Sequence, residues 1–263
     1  LIYPINHLNL AEPLENDMYE ELTPLLQSID KQNREKDAVA NMRKEFSANV
    51  SHELKTPLTS ISGYAEMIAS GMVKSGDVAS FAEKIQKEAL RLLNLIDDII
   101  KLSRLDETTQ DSSLLESVDL KALTFETLDI LSRPIAEKKI QVSVDASDVK
   151  INGNASMLSE LLYNLCENAI KYNIDGGSVE IDLYENAGTK VLAVKDSGIG
   201  IDEKYQERIF ERFFRVDKSH SKKTGGTGLG LSIVKHIAEF HKADITIDSA
   251  PGAGTTIRVI FPA

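Results

Sequence analysis

The 263-residue sequence predicts an antiparallel helical hairpin, paired with a second copy as a four-helix bundle, followed by an α/β sandwich with a mixed sheet. Apolar residues recur at helical spacing on both sides of one short glycine-bounded turn, between Val39 and Leu102. After Ser117 helical and strand-like segments alternate to the end of the chain. The intervening stretch, 107–116, is polar and without periodicity, which marks a linker. The boundaries follow as a leading segment over 1–38, the hairpin over 39–106, the linker, and a second domain over 117–263.

The leading segment opens irregularly, with Pro4 and Pro13 against a regular element. Asn16-Asp17 mark a helix start, and a charged helical stretch runs to about Asp37, with Pro24 either bending it or delaying its start. The first hairpin helix carries Val39, Met42, Phe46, Val50, Leu54, Ile61, Ala65, Ile68 and Met72 on one stripe. Gly71 to Gly76 form the turn. The second helix carries Phe81, Ile85, Ala89, Leu92, Ile96, Ile99 and Leu102. One stripe per helix is too little to enclose a core, and two paired hairpins solve that, so the sequence predicts a homodimer.

In the second domain a helix is expected over Leu120–Lys138, strands near Ile140–Val144 and Lys150–Asn152, and a helix over Ala155–Lys171. A hairpin of Val179–Tyr184 and Val191–Lys195 follows, then a long loop, a helix ending at His241, and strands Asp244–Asp248 and Thr255–Phe261. The segment from Ser197 to Gly226 is longer than a connection needs, and loops of that length serve as functional lids.

Composition narrows the function. A net charge of −11 leaves no basic surplus for nucleic acid or anionic membrane. It does not exclude one anionic ligand in a local site. The single cysteine, Cys166, permits no disulfide within the chain and reads as a small buried apolar residue. No run approaches the ~18 apolar residues that span a bilayer, and there is no signal peptide. With Leu1 in place of an initiator Met, the expectation is an excised fragment whose membrane span lies upstream.

The first chemical motif is Ser51-His52-Glu53-Leu54-Lys55-Thr56-Pro57. Val50 and Leu54 hold the seam, so His52 can face solvent, and Glu53 can take a proton from one imidazole nitrogen as the other attacks phosphorus. Pro57 costs a helix interior roughly 3 kcal/mol and presses on the Glu53 carbonyl. In the second motif, Asn164, Asn168 and Lys171 share one helical face, where two amide oxygens and an ammonium suit Mg²⁺ and phosphate oxygens. The third, Asp196-Ser197-Gly198-Ile199-Gly200, follows a strand; its glycines permit close backbone approach and Asp196 can accept from an exocyclic amine. The fourth, Gly225 to Leu231 with Gly226, Thr227, Gly228, Leu229 and Gly230, enters a helix whose N-terminus favours anions. It matches neither a P-loop nor a Rossmann fingerprint. Between them, Ile209 to Arg215 offers aromatics, Phe214 among them, to pin the lid, and Arg215 to reach phosphates.

The segment from Phe46 through Tyr64 resembles the H-box of sensor histidine kinases, and the four later patterns resemble, in order, the N, G1, F and G2 boxes of the GHKL ATPases. The resemblance covers roughly Val39 to Pro262. It implies a GHKL-type domain that binds ATP beneath a mobile lid, with Mg²⁺ on Asn168 and Asn164, phosphates on Lys171 and Arg215, Tyr172 against adenine, and Asp196 accepting from its amino group. Gly198, Gly200, Ile201, Phe214 and the Gly226–Gly230 run complete the implied nucleotide site. It further implies phosphorylation of His52, transfer to a response-regulator receiver domain, and dephosphorylation of that partner through Glu53 and Thr56. The implied location is the cytoplasmic face of a bacterial membrane. The rival readings are a GHKL ATPase driving clamp motions, against which the H-box stands, and a nucleotide-sensing pseudokinase scaffold. Asn154 stands where the family commonly has Asp, and Lys242-Ala243 replace the usual glycines after the last helix. His7, His220, His236 and His241 match no ligand spacing.

Overall fold

The computed structural model describes residues 23–108, 115–186, 188–216 and 226–262. The start expected at Asn16-Asp17, Pro4, Pro13, most of the linker, His7, His220 and Gly225 lie outside them. The chain divides into two compact units, 1–88 and 89–263, the division falling inside the second long helix.

In the first unit, helix α1 (Thr23–Ala69) is continuous for 47 residues. The charged stretch and the apolar stretch are therefore parts of one continuous helix. Phe46, Val50, Leu54, Ile61 and Ile68 are partly buried and Pro57 is buried. The expected Ala65 and Met72 are exposed. A step of three or four residues from Ile61 lands on Tyr64, whose ring meets Phe81 edge-on at 5.6 Å, and Met72 lies beyond the helix end. Gly71, at φ 73, closes the helix in the left-handed conformation glycine tolerates, with the Met72 N–H donating to the Met67 carbonyl at 3.1 Å. A 3₁₀ turn (Ser75–Asp77) leads into α2 (Val78–Thr108). Lys84 Nζ lies 4.6 Å from the Phe81 ring centroid.

The second unit begins with the rest of α2. Its buried row runs through Leu95, Leu102 and Leu105, whereas Ile96, expected inside, is 38% exposed. The rest of the expected stripe holds: Phe81, Ile85, Ala89, Leu92 and Ile99 are partly buried and Leu102 is buried. Strand β1 (Glu116–Asp119), not expected from the sequence, pairs antiparallel with β3 (Lys150–Gly153). Asp119 caps α3 (Leu120–Ile130) by accepting from the Ala122 N–H at 3.1 Å. The single helix expected over Leu120–Lys138 is two, α3 and α4 (Ser132–Lys138). Pro134 explains the break at Leu131, because it has no N–H for the Ile130 carbonyl and its ring crowds that oxygen.

Strands β2 (Gln141–Ala146), β4 (Ser178–Asn186), β5 (Thr189–Asp196), β6 (Asp244–Ala250) and β7 (Gly254–Phe261) form one sheet in the order β2-β4-β5-β7-β6. Only β2–β4 is parallel, so the sheet is mixed. Helix α5 (Ala155–Lys171) packs on α3, β5 and α7 (Gly230–Phe240). Its Leu158, Leu161, Leu162, Leu165, Cys166 and Ala169 are buried, the larger ones worth about 1.5–3 kcal/mol each. Short helix α6 (Glu203–Gln206) and a 3₁₀ turn (Arg208–Phe210) occupy the long loop.

Helices α5 and α7 are tied at two places. The Asn154 N–H donates to His241 Nε2 at 3.1 Å, while Asn154 itself caps α5 through the Met157 N–H. Nearer the loop, a Cβ on Gly230 would come 2.6 Å from Asn164 Oδ1, so any larger residue there would have to push that amide aside. Lys242, at φ 54, holds a left-handed position that glycine would occupy without strain. Among the described residues, no helix is long and apolar enough to cross a membrane.

Candidate functional site

On α1, His52 is exposed and Glu53 half-buried. Thr56 Oγ1 donates to the His52 main-chain carbonyl at 3.1 Å, and the four-residue spacing puts the two positions on one face of the helix. Pro57 has no N–H to give the Glu53 carbonyl, yet α1 continues through it. Thr59 and Ser60 bond back to Lys55 and Thr56 in the same way as Thr56.

The second unit contains a cavity of about 780 Å³. It brings together Asn164, Asn168, Lys171 and Tyr172 from α5, and Asp196, Gly200 and Ile201 from the end of β5 and the loop after it. Phe214, Arg215, Gly226, Thr227, Gly228 and Gly230 also line it. Two predicted residues do not. Leu229 is fully buried and anchors the loop from beneath. Gly198 lies behind Asp196, donating its N–H to Oδ1 at 2.8 Å; a side chain there would strike the Tyr172 carbonyl at 2.4 Å.

Burial pushes the Asp196 carboxyl above its usual range, and the N–H groups of Gly198 and Thr255 oppose that shift. Burial also lowers the Lys171 ammonium, with Glu167 opposing and Arg215 reinforcing it. The Tyr172 phenol is raised, again by burial first. These groups occupy a partly dry site in which burial disfavours the charged form of each.

Several lining residues had no motif to announce them. Asp98 Oδ2 accepts from Thr227 Oγ1 at 2.7 Å. Lys101 Nζ meets Glu160 Oε1 at 2.9 Å, and the same oxygen accepts from Asn164 Nδ2 at 3.0 Å. With its nitrogen also on the Glu160 carbonyl, the amide of Asn164 is turned by Glu160. Behind Asp196, buried Asn173 donates to the Ser178 carbonyl at 2.9 Å and accepts from the Ile174 N–H and the Ser197 hydroxyl. Ser197 in turn accepts from the Ser178 N–H at 2.8 Å. Lys138 caps the end of α5, its Nζ reaching the Ile170, Lys171 and Asn173 carbonyls. Asp98, Lys101 and Lys138 serve groups far away in sequence, whereas Glu160 acts on Asn164 one helical turn along.

The family model for the His Kinase A (phospho-acceptor) domain matches residues 42–108, which include His52. The model for the histidine kinase-, DNA gyrase B- and HSP90-like ATPase matches 153–263, which hold the cavity motifs. The structure of the mycobacterial sensor histidine kinase MprB is 30% identical, with 97% of that chain and 57% of this one covered and a TM-score of 0.51. The chain belongs to the sensor histidine kinases. Among the curated members of that family, SenX3 of Mycolicibacterium smegmatis is 40% identical over 221 residues, covering 84% of this chain and 57% of the relative. WalK of Bacillus subtilis is 36% identical over 233 residues, 87% of this chain and 38% of the relative. The chain thus spans about half or less of the length of the curated histidine kinases it matches. The fold extends to histidine kinase ThkA, crystallised with the response regulator protein TrrA, at TM-score 0.68 over 94% of this chain and 67% of that one, with 22% identity.

Proposed function

We propose that the chain transfers the γ-phosphoryl of ATP to His52 and passes it on to an aspartate of a response-regulator receiver domain. The observation that carries this reading is one cavity lined by Asn168, Lys171, Asp196, Arg215 and Thr227 in a chain whose α1 exposes His52. The donor set fits a magnesium nucleotide: amide oxygens of Asn164 and Asn168 for the cation, Lys171 and Arg215 for phosphates, Asp196 and the Tyr172 ring for the base. Mg²⁺ held there would neutralise phosphate charge. Gly230 and Gly226 keep the loop close to Asn164 and Lys171, where a larger residue would fill the space.

In the transfer, one imidazole nitrogen of His52 attacks the γ-phosphorus while the bond from that phosphorus to ADP breaks. Glu53 takes the proton from the other nitrogen. The aspartate oxygen of the receiver then attacks the phosphorus, the P–N bond breaks, and the proton held by Glu53 returns to the ring to restore the imidazole. Lys171 and Arg215 contribute position and charge, the main needs of phosphoryl transfer. The exposed row Leu90, Leu93, Ile96 and Ile100 on α2 supports a homodimer through the hairpin. The whole protein would work at the cytoplasmic face of a bacterial membrane.

Incubation with γ-labelled Mg-ATP tests the reading. The label is expected in an acid-labile, alkali-stable bond that His52→Gln abolishes. Hydrolysis with no labelled protein would instead indicate a GHKL ATPase, and nucleotide binding with neither outcome a pseudokinase scaffold. For the reverse activity, Thr56→Ala should spare labelling of His52 and slow dephosphorylation of the regulator; equal loss of both removes the assignment of Thr56 as a water-orienting group.

A further inference from the structure

We infer that Lys138 is a positioning residue of the nucleotide pocket, a cationic clamp that sets where the Lys171–Asn173 wall stands. The inference rests on the nucleotide-binding reading above. Lys138 is the last residue of α4 and belongs to none of the ordered motifs. Its ammonium donates to the Lys171 carbonyl at 2.6 Å and to the Ile170 and Asn173 carbonyls at 3.1 Å each. An ammonium has three N–H donors, and here all three find main-chain oxygens. Those oxygens lie at the end of α5, where helical carbonyls lack partners and the helix carries its negative pole. The link is reciprocal, since the Gly176 N–H donates to the Lys138 carbonyl at 2.8 Å.

The clamped turn carries the pocket wall. Lys171 and Tyr172 project from it into the cavity, which Lys138 itself also lines. The Tyr172 carbonyl accepts the Ile199 N–H at 3.1 Å, which stitches the turn to the loop after Asp196. Asn173 extends the same frame through Ser197 and Ser178. One ammonium therefore holds the main chain on both sides of Tyr172, and reaches the loop after Asp196 through Asn173 and Ser197. An uncharged residue would take this donor from the Lys171 and Asn173 carbonyls, and leave the Ile170 carbonyl to main-chain N–H groups alone, so the turn could move. A displacement of about an ångström in a positioning group is enough to weaken a site severely.

The test uses the full chain with Mg-ADP binding by titration calorimetry, His52 phosphorylation kinetics and thermal unfolding. For Lys138→Met the expected result is a rise of about tenfold in the Kd for ADP and the KM for ATP, the scale of one charged hydrogen-bonded contact. At saturating ATP, kcat should fall less than kcat/KM does, because His52 and the phosphate-contacting side chains remain while the turn that carries Lys171 loses its clamp. Lys138→Arg keeps the charge, but its planar fork cannot aim three N–H groups at one set of carbonyls, so a KM rise of about threefold is expected. A folded Met variant with wild-type ADP affinity overturns the inference and leaves the kinase reading standing. So does an unfolded Met variant alongside an Arg variant that matches wild type. A wild-type chain that binds no ADP overturns both.

Discussion

Asp98 accepts the Thr227 hydroxyl at 2.7 Å across 129 positions of sequence, joining α2 to the glycine-bounded loop that enters α7. Burial pushes the Asp98 carboxyl above its ordinary value of 3.8, while Thr227 and Lys101 oppose the shift. The folded state thus holds this proton more tightly than the unfolded chain. The stability it contributes is full below the ordinary value and is lost as pH rises through the folded one. Asp98→Asn keeps an acceptor for Thr227 without the buried charge. In thermal unfolding at pH 7 it should melt at or above the wild-type temperature, and that margin should narrow near pH 4.

His241 provides a dependence of the opposite sign. Nδ1 lies 2.8 Å from the Ile237 carbonyl and Nε2 accepts the Asn154 N–H, so these partners assign a neutral ring that donates from Nδ1. Burial lowers its pKa below 6.5. The stabilisation is present above that ordinary value and is lost as pH falls through it toward the folded value. Between pH 7.5 and 5.5 the wild-type Tm should drop more steeply than that of His241→Gln. A parallel pair of curves would contradict the role.

Gly200 is at φ 67, and a Cβ there would come 1.9 Å from the Ala250 carbonyl oxygen. Gly200→Ala should cost about 2–4 kcal/mol in denaturant unfolding, from the left-handed backbone together with the overlap. Gly76 has nothing within 4 Å and no left-handed φ, so Gly76→Ala should change stability by less than about 0.5 kcal/mol.

Cys166 is fully buried, and burial pushes its thiol up to about 12. The native chain should resist a thiol-specific alkylating reagent at neutral pH and react once denatured. Rapid labelling of the folded protein would refute this packing.

Helix α5 was legible to the residue, because Asn154 caps it and its apolar stripe has one clear side. The hairpins β4–β5 and β6–β7 were legible because their pairing is local and their alternation plain. Strand β1 was not, since among its residues only Val118 is buried and its partner lies some thirty positions away. The break at Leu131 was hidden by a helical period that continues across Pro134. At the site, the motifs delivered Asn164, Asn168, Lys171 and Asp196, whose chemistry is local. Asp98, Lys138 and Asn173 were silent because a carboxylate, an ammonium or an amide acquires its role only when folding brings a distant partner to it.

The order of strands has a consequence for biosynthesis. The last described strand, β7, lies inside the sheet between β5 and β6, and its Thr255 and Ile257 form part of the pocket wall. A ribosome making this chain releases the hairpin and His52 long before the pocket can close. A copy cut short before β7 would thus carry the exposed His52 without a complete pocket of its own.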